Sequence, residues 1–225
     1  MFLQVAVDCT EEADLISGLQ ELSRIGVRRV EIGTPTLVSI GCRALSIAGE
    51  YGFEYIYADA KCIDFAVATL SSMLFAAPID GISCHACASD EELGNLLDHA
   101  SSSGVEVFVS MLGLEADAIG RRIRTVPQDR GMAGIIAHGR GDLDAAFVEA
   151  VTAVQVLQHG LRSSSIVLAG GITAERLRSI EPALMASVSG IIVGRGIMAS
   201  PLGIERSYRA LNEESVRISK RCRRE

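Results

Sequence analysis

The chain has 225 residues, 48% of them apolar, and a net charge of −7, with a pI near 5.2. That length suits one domain of barrel size, and the acidic balance leaves no electrostatic footprint for nucleic acid. No apolar run approaches the roughly 20 residues that span a bilayer, and the opening Met1-Phe2-Leu3-Gln4-Val5-Ala6-Val7-Asp8 lacks the basic region of a secretory signal, so a cytoplasmic protein without membrane or nucleic-acid partners is expected.

In chain order, short β-rich runs alternate with helical stretches. Strands are expected at 3–8, 28–32, 55–59, 81–84, 105–110, 134–138, 165–169 and 190–193. Between them, Leu15, Leu19, Leu22 and Ile25 recur at helical spacing behind an expected N-cap at Thr10, and residues 145–157 form another helical stretch with Asp142 placed to cap it. Gly26, Gly52, Gly104 and Gly160 punctuate the returns from helix to strand. The step between strands is about 24 to 32 residues, the length of a βα unit. Eight such units predict an α/β fold, a single (β/α)8 TIM barrel over 1–217. The basic residues at 218–225 are expected to form a disordered tail. An open doubly wound sheet would show a glycine-rich turn after its first strand. Here that turn reads Asp8-Cys9-Thr10-Glu11, which favours the barrel.

Chemistry in such barrels sits where strands end. The third strand ends in Asp59-Ala60-Lys61-Cys62-Ile63-Asp64, and residues two apart on a strand share a face, so Asp59 and Lys61 are expected to project side by side. Asp64 lies beyond the strand tip. The other tips carry Asp8, Glu31-Ile32-Gly33-Thr34-Pro35, Ser110 and His138. Clustered charges on one rim point to a catalytic site rather than to packing. Cys84-His85-Ala86-Cys87 lacks the second ligand pair of a structural zinc site, and reads as small, soft residues at a strand end. The remaining histidines, His85, His99 and His159, lack such placement, and the last two are expected to face solvent.

The last two strands lead into Ala169-Gly170-Gly171-Ile172-Thr173 and Val193-Gly194-Arg195-Gly196. Glycines let backbone N–H groups approach an anion, and a guanidinium clamps phosphate oxygens, so these loops read as a phosphate cradle. Glu31 and Asp59 end adjacent strands and suit a hard divalent cation such as Mg2+, bound through carboxylates plus substrate oxygens. A metal-free Glu–Lys–Asp network is the alternative. Lys61 beside such a pair suits chemistry that builds an enolate-like anion, and His138 is either a proton shuttle or a structural hydrogen-bonder.

Asp59-x-Lys61-x-x-Asp64 resembles the motif of the orotidine 5′-phosphate decarboxylase superfamily. Glu31-Ile32-Gly33-Thr34-Pro35 is similar to the second-strand motif of its metal-dependent branch, that of 3-hexulose-6-phosphate synthase and 3-keto-L-gulonate-6-phosphate decarboxylase. The resemblance runs from the Leu3–Asp8 segment to the loop at Gly194 and Arg195. It implies Glu31 and Asp59 as Mg2+ ligands and Lys61 as the group stabilising an enediolate. It also implies Asp8 on substrate hydroxyls, His138 moving protons, and Gly170, Gly171, Gly194 and Arg195 on the phosphate, with Thr34 and Arg140 as further substrate contacts. Asp64 would reach into the partner's site across a homodimer interface. Two positions depart from the family pattern. Ser110 stands where an acid is usual, and His138-Gly139-Arg140-Gly141-Asp142 has glycine where the decarboxylase branch has arginine, with Arg140 as a partial stand-in. The expected activity is therefore a Mg2+-dependent aldolase that joins ribulose 5-phosphate to formaldehyde. The alternatives are decarboxylation of a 3-keto sugar-acid phosphate and a non-catalytic phosphosugar-binding relative.

Overall fold

Eight strands close into one parallel barrel in chain order, β1 to β8, the (β/α)8 topology expected. The structure is a computed structural model that describes residues 1–63, 67–161 and 165–222. Two compact units make it up: Val5–Ser110 with Val126–Ala133, and Met1–Gln4 with Met111–Thr125 and Gly134–Glu225. Among the described residues, no helix is long and apolar enough to cross a membrane.

The first unit takes the second half of β1 (Phe2–Val7), then β2 (Arg29–Ile32), β3 (Tyr55–Cys62), β4 (Gly81–His85) and β5 (Glu106–Ser110). Its helices are α1 (Glu12–Arg24), α2 (Thr34–Ile40), α3 (Arg43–Gly49), α4 (Val67–Phe75) and α5 (Asp90–Ser103). Each strand splits its residues between two faces. Val30, Ile32, Ile56, Ala58, Ile82, Cys84, Val107 and Val109 make the apolar face and are buried. The other face carries Glu31, Tyr57, Gly81, Ser83, His85, Phe108 and Ser110, joined by the register pairs Glu31↔Tyr57, Tyr57↔Gly81, Ser83↔Phe108 and His85↔Ser110. Large and small residues alternate there. A Cβ on Gly81 would overlap the rings of Tyr55 and Tyr57, and Tyr57 packs edge-on against Phe108 with centroids 5.7 Å apart.

Helix ends partly follow the expected signals. Helix α1 buries Leu15, Leu19 and Leu22 as expected, but its N-cap is Glu11, without a side-chain bond, and not Thr10. Helix α5 is capped by Ser89, whose hydroxyl accepts from Glu92 N–H at 3.1 Å. His99, expected to face solvent, instead packs 4.9 Å from the Phe75 ring, with its Nδ1 3.1 Å from Ser71 Oγ. The ring contact and the serine hydroxyl together hold the imidazole on the seam between α4 and α5.

The second unit contains α6 (Ala116–Thr125), β6 (Gly134–His138), α7 (Leu143–Leu157), β7 (Ser165–Ala169) and α8 (Ala174–Ser179). It continues with α9 (Pro182–Met185), β8 (Val188–Val193), α10 (Arg195–Met198) and α11 (Ile204–Cys222). Asp142 caps α7 as expected, its Oδ1 accepting from Asp144 N–H at 3.0 Å and Ala145 N–H at 2.8 Å. Helix α11 continues through residues 218–222, which were expected to lie in a disordered tail. Ile218 is buried there, and Ser219 Oγ accepts from the N-terminal ammonium of Met1 at 3.0 Å. Amphipathic spacing, with Leu211, Ser215 and Ile218 on one side, carries the helix past the basic residues that suggested a tail.

Candidate active site

The site in the first unit is built around the end of β3. There the pairing with β4 shifts register between Ala58 and Cys62, and Lys61 takes a left-handed backbone, φ 47°. Such a conformation is costly for a residue with a Cβ and is held by its surroundings. Lys61 N–H donates to Ser83 Oγ at 2.8 Å, and Ser83 O–H donates to Asp59 Oδ1 at 2.8 Å. Lys61 Nζ ion-pairs with Asp59 Oδ2 and donates to Thr34 Oγ1 at 2.9 Å. Thr34 O–H in turn lies 2.6 Å from the Asp59 carbonyl oxygen and 3.2 Å from Oδ2. Lys61 and Asp59 do meet, as the motif suggested. They meet through a bulge, not through the plain alternation of a regular strand.

Asp59 is 6% exposed and Glu31 5%. Both carboxylates act on the hydroxyl of Tyr57. Burial raises that phenol well above its ordinary pKa, and the charges of Asp59 and Glu31 raise it further. The Tyr57 hydroxyl makes no hydrogen bond among the described residues. Asp8 lies just beyond β1 and is exposed. Its carboxylate covers Gly33, where any Cβ would overlap it. Thr36 ties the same corner down, donating to Val7 carbonyl oxygen at 3.1 Å and accepting from Cys9 N–H at 2.8 Å.

This donor set suits Mg2+. Among the described residues no three His, Cys, Asp or Glu side chains come together as a protein-only cage. Two buried carboxylates plus substrate oxygens are the usual alternative for Mg2+. A carboxylate has about four lone-pair sites, so Asp59 retains accepting capacity beside Ser83 and Lys61. Asp64 lies outside the described residues. Ser110 is fully buried at the end of β5. Cys84 is buried, its thiol donating to the Cys62 carbonyl at 3.1 Å, whereas Cys87 is exposed. The two thiols thus occupy different environments.

Sequence reasoning missed two residues here. Ser83 is a lone hydroxyl in an apolar strand, a signal visible in Gly81-Ile82-Ser83-Cys84, but its partners depend on the β3/β4 register. His85 was set aside as lacking placement. It ends β4 on the same face as Ser83, paired in register with Ser110.

The second unit places His138, half-buried, at the end of β6, followed by Gly139, whose N–H donates to the Ala169 carbonyl at 3.0 Å. Gly170 and Gly171 have φ of 108° and 61°. A Cβ on either would overlap backbone, at Gly139 and Leu143 respectively, so close packing of the loops demands glycine before any ligand is considered. Arg176, not singled out from sequence, fastens this turn. Its guanidinium donates to the Gly171 carbonyl at 2.8 Å and the Leu143 carbonyl at 3.0 Å, and pairs with Asp144. Arg195 follows Gly194 and donates to the Gly141 carbonyl at 2.9 Å. Arg140 faces two acids, with its guanidinium 3.4 Å from Glu115 and 3.4 Å from Glu149. In this arrangement its charge is directed at carboxylates.

Residues 1–210 match the family model described as Orotidine 5′-phosphate decarboxylase / HUMPS family. The chain belongs to this family. Solved structures similar to this orotidine 5′-phosphate decarboxylase / HUMPS chain include 3-hexulose-6-phosphate synthase from Salmonella typhimurium, at 23% identity and TM-score 0.78, covering 97% of this chain and 100% of that one. KGPDC from Streptococcus mutans is 22% identical, with TM-score 0.77 and coverage of 96% and 97%. 3-Keto-L-gulonate-6-phosphate decarboxylase from Vibrio cholerae is 21% identical, with TM-score 0.73 and coverage of 96% and 98%. Comparison with curated protein sequences yields no match. At these identities the structural likeness establishes the barrel alone.

Proposed function

We propose that this family member is a Mg2+-dependent aldolase that joins ribulose 5-phosphate to formaldehyde through an enediolate, in the manner of a 3-hexulose-6-phosphate synthase. The observation that carries the reading is the half-buried Lys61 ammonium, held on Asp59 and Thr34 at the tip of β3. An ammonium fixed in a poorly hydrated place stabilises an oxyanion without reorganising when charge develops. Ser83 supports it from both ends, accepting from the Lys61 backbone and donating to Asp59. Mg2+ held by Glu31 and Asp59 would supply Lewis acidity to adjacent sugar oxygens. Asp8 takes substrate hydroxyls, Thr34 is a further substrate contact, and His138 carries protons. Gly170, Gly171, Gly194 and Arg195 take the phosphate. Asp64 completes the site of a partner subunit in a homodimer. The resemblance gives the decarboxylase branch an arginine where this chain has Gly141, and the neighbouring Arg140 lies 3.4 Å from both Glu115 and Glu149, which favours the aldolase.

The test is turnover of ribulose 5-phosphate and formaldehyde by purified protein, with and without EDTA, beside Lys61→Ala. The expected outcome is product that EDTA abolishes, with kcat lowered roughly 10²-fold or more by Lys61→Ala. Binding of ribulose 5-phosphate without any product would sink the reading and leave a non-catalytic phosphosugar-binding protein.

A further inference from the structure

We propose that Tyr57 is a positioning residue for the divalent cation of this site, its hydroxyl a hydrogen-bond partner for water that the cation retains. The assignment rests on the reading of Glu31 and Asp59 as cation ligands.

Its neighbours fix the ring. Tyr57 pairs in register with Glu31 on one side and with Gly81 on the other, and a Cβ on Gly81 would come 2.8 Å from the ring edge. Phe108 meets the ring edge-on, with centroids 5.7 Å apart. Phe108 is in turn the register partner of Ser83, whose hydroxyl holds Asp59 at 2.8 Å. The phenol therefore shares its face with Glu31 and packs among the residues that hold Asp59. Both carboxylates bear electrostatically on its oxygen.

That oxygen is the anomaly. Tyr57 is 1% exposed, yet its hydroxyl makes no hydrogen bond among the described residues. An unpaired buried hydroxyl is unfavourable, and phenylalanine would fill the same space without that penalty. Asp59 is already engaged by Ser83, Lys61 and Thr34. Mg2+ bound through two carboxylates keeps several waters, and groups behind the ligands orient the shell. A phenol both gives and takes a hydrogen bond, so beside Glu31 and Asp59 the Tyr57 oxygen accepts from such a water. The hydroxyl is then satisfied when the cation is bound and orphaned when it is not.

The two states give opposite expectations for Tyr57→Phe, which keeps the ring and removes only the hydroxyl. Mn2+ serves as the probe, titrated into the full chain and followed by calorimetry or by the free-ion electron paramagnetic resonance signal. Tyr57→Phe should bind Mn2+ about tenfold or more weakly than wild type, while the metal-free variant should withstand urea at least as well as metal-free wild type. Unchanged Mn2+ affinity would overturn the proposal. So would a metal-free variant that unfolds at lower urea, because the hydroxyl would then have a partner without the cation. Wild type that binds no Mn2+, or Glu31→Gln that binds it as tightly as wild type, would overturn the cation reading itself and this proposal with it.

Discussion

Ser83 shows how much one hydroxyl can hold at the residue scale. It has one proton, given to Asp59, and it accepts from the Lys61 backbone N–H, which the bulge removes from the regular ladder. Ser83→Ala removes an acceptor from a left-handed lysine and a donor from a buried carboxylate together. Leaving such groups unsatisfied costs about 1–3 kcal/mol, so a loss of that size in urea unfolding is expected, together with reduced turnover. Unchanged stability would mean that water replaces the hydroxyl at no cost. Lys61 itself was legible because its partner Asp59 lies two residues away in the chain. Ser83 and His85 were not, because their neighbours come from other strands.

At the scale of elements, the caps separate local from tertiary control. Asp142 was readable as the start of α7 because its carboxylate needs only the next two or three backbone N–H groups. Asp142→Ala should lower stability by about 1 kcal/mol, measured as a shift in the urea midpoint at constant slope, and no shift would show that the helix start is held by packing alone. Thr10 failed as the cap of α1 because the chain turns into the helix one residue later, at Glu11. The glycine turn at Gly170 and Gly171 was readable as a turn. That Arg176 fastens its carbonyl was not, since that guanidinium acts across α7 and α8.

For the whole molecule, the barrel closes in chain order as the even spacing of strands indicated, and the family match over residues 1–210 agrees. The C-terminal segment is where the fold exceeds that reading. Ile218 is buried, so truncation after Arg217 should cost about 2–4 kcal/mol, the range for losing a buried isoleucine side chain and the void it leaves. Thermal and urea unfolding of the truncated chain check this, and wild-type stability would restore the view of 218–225 as a tail.

The order of amino acids alone determined the alternation of strands and helices, the charged third-strand motif and the glycine turns. Each of these depends on residues within a few positions of one another. Tertiary structure alone decided that Lys61 reaches Asp59 through a bulge supported by Ser83, that His85 joins the charged face, and that Arg140 answers to glutamates. The first two outcomes follow from strand register, where a shift of one residue turns a side chain to the opposite face, and the third from a loop after β6 packed beside two helices.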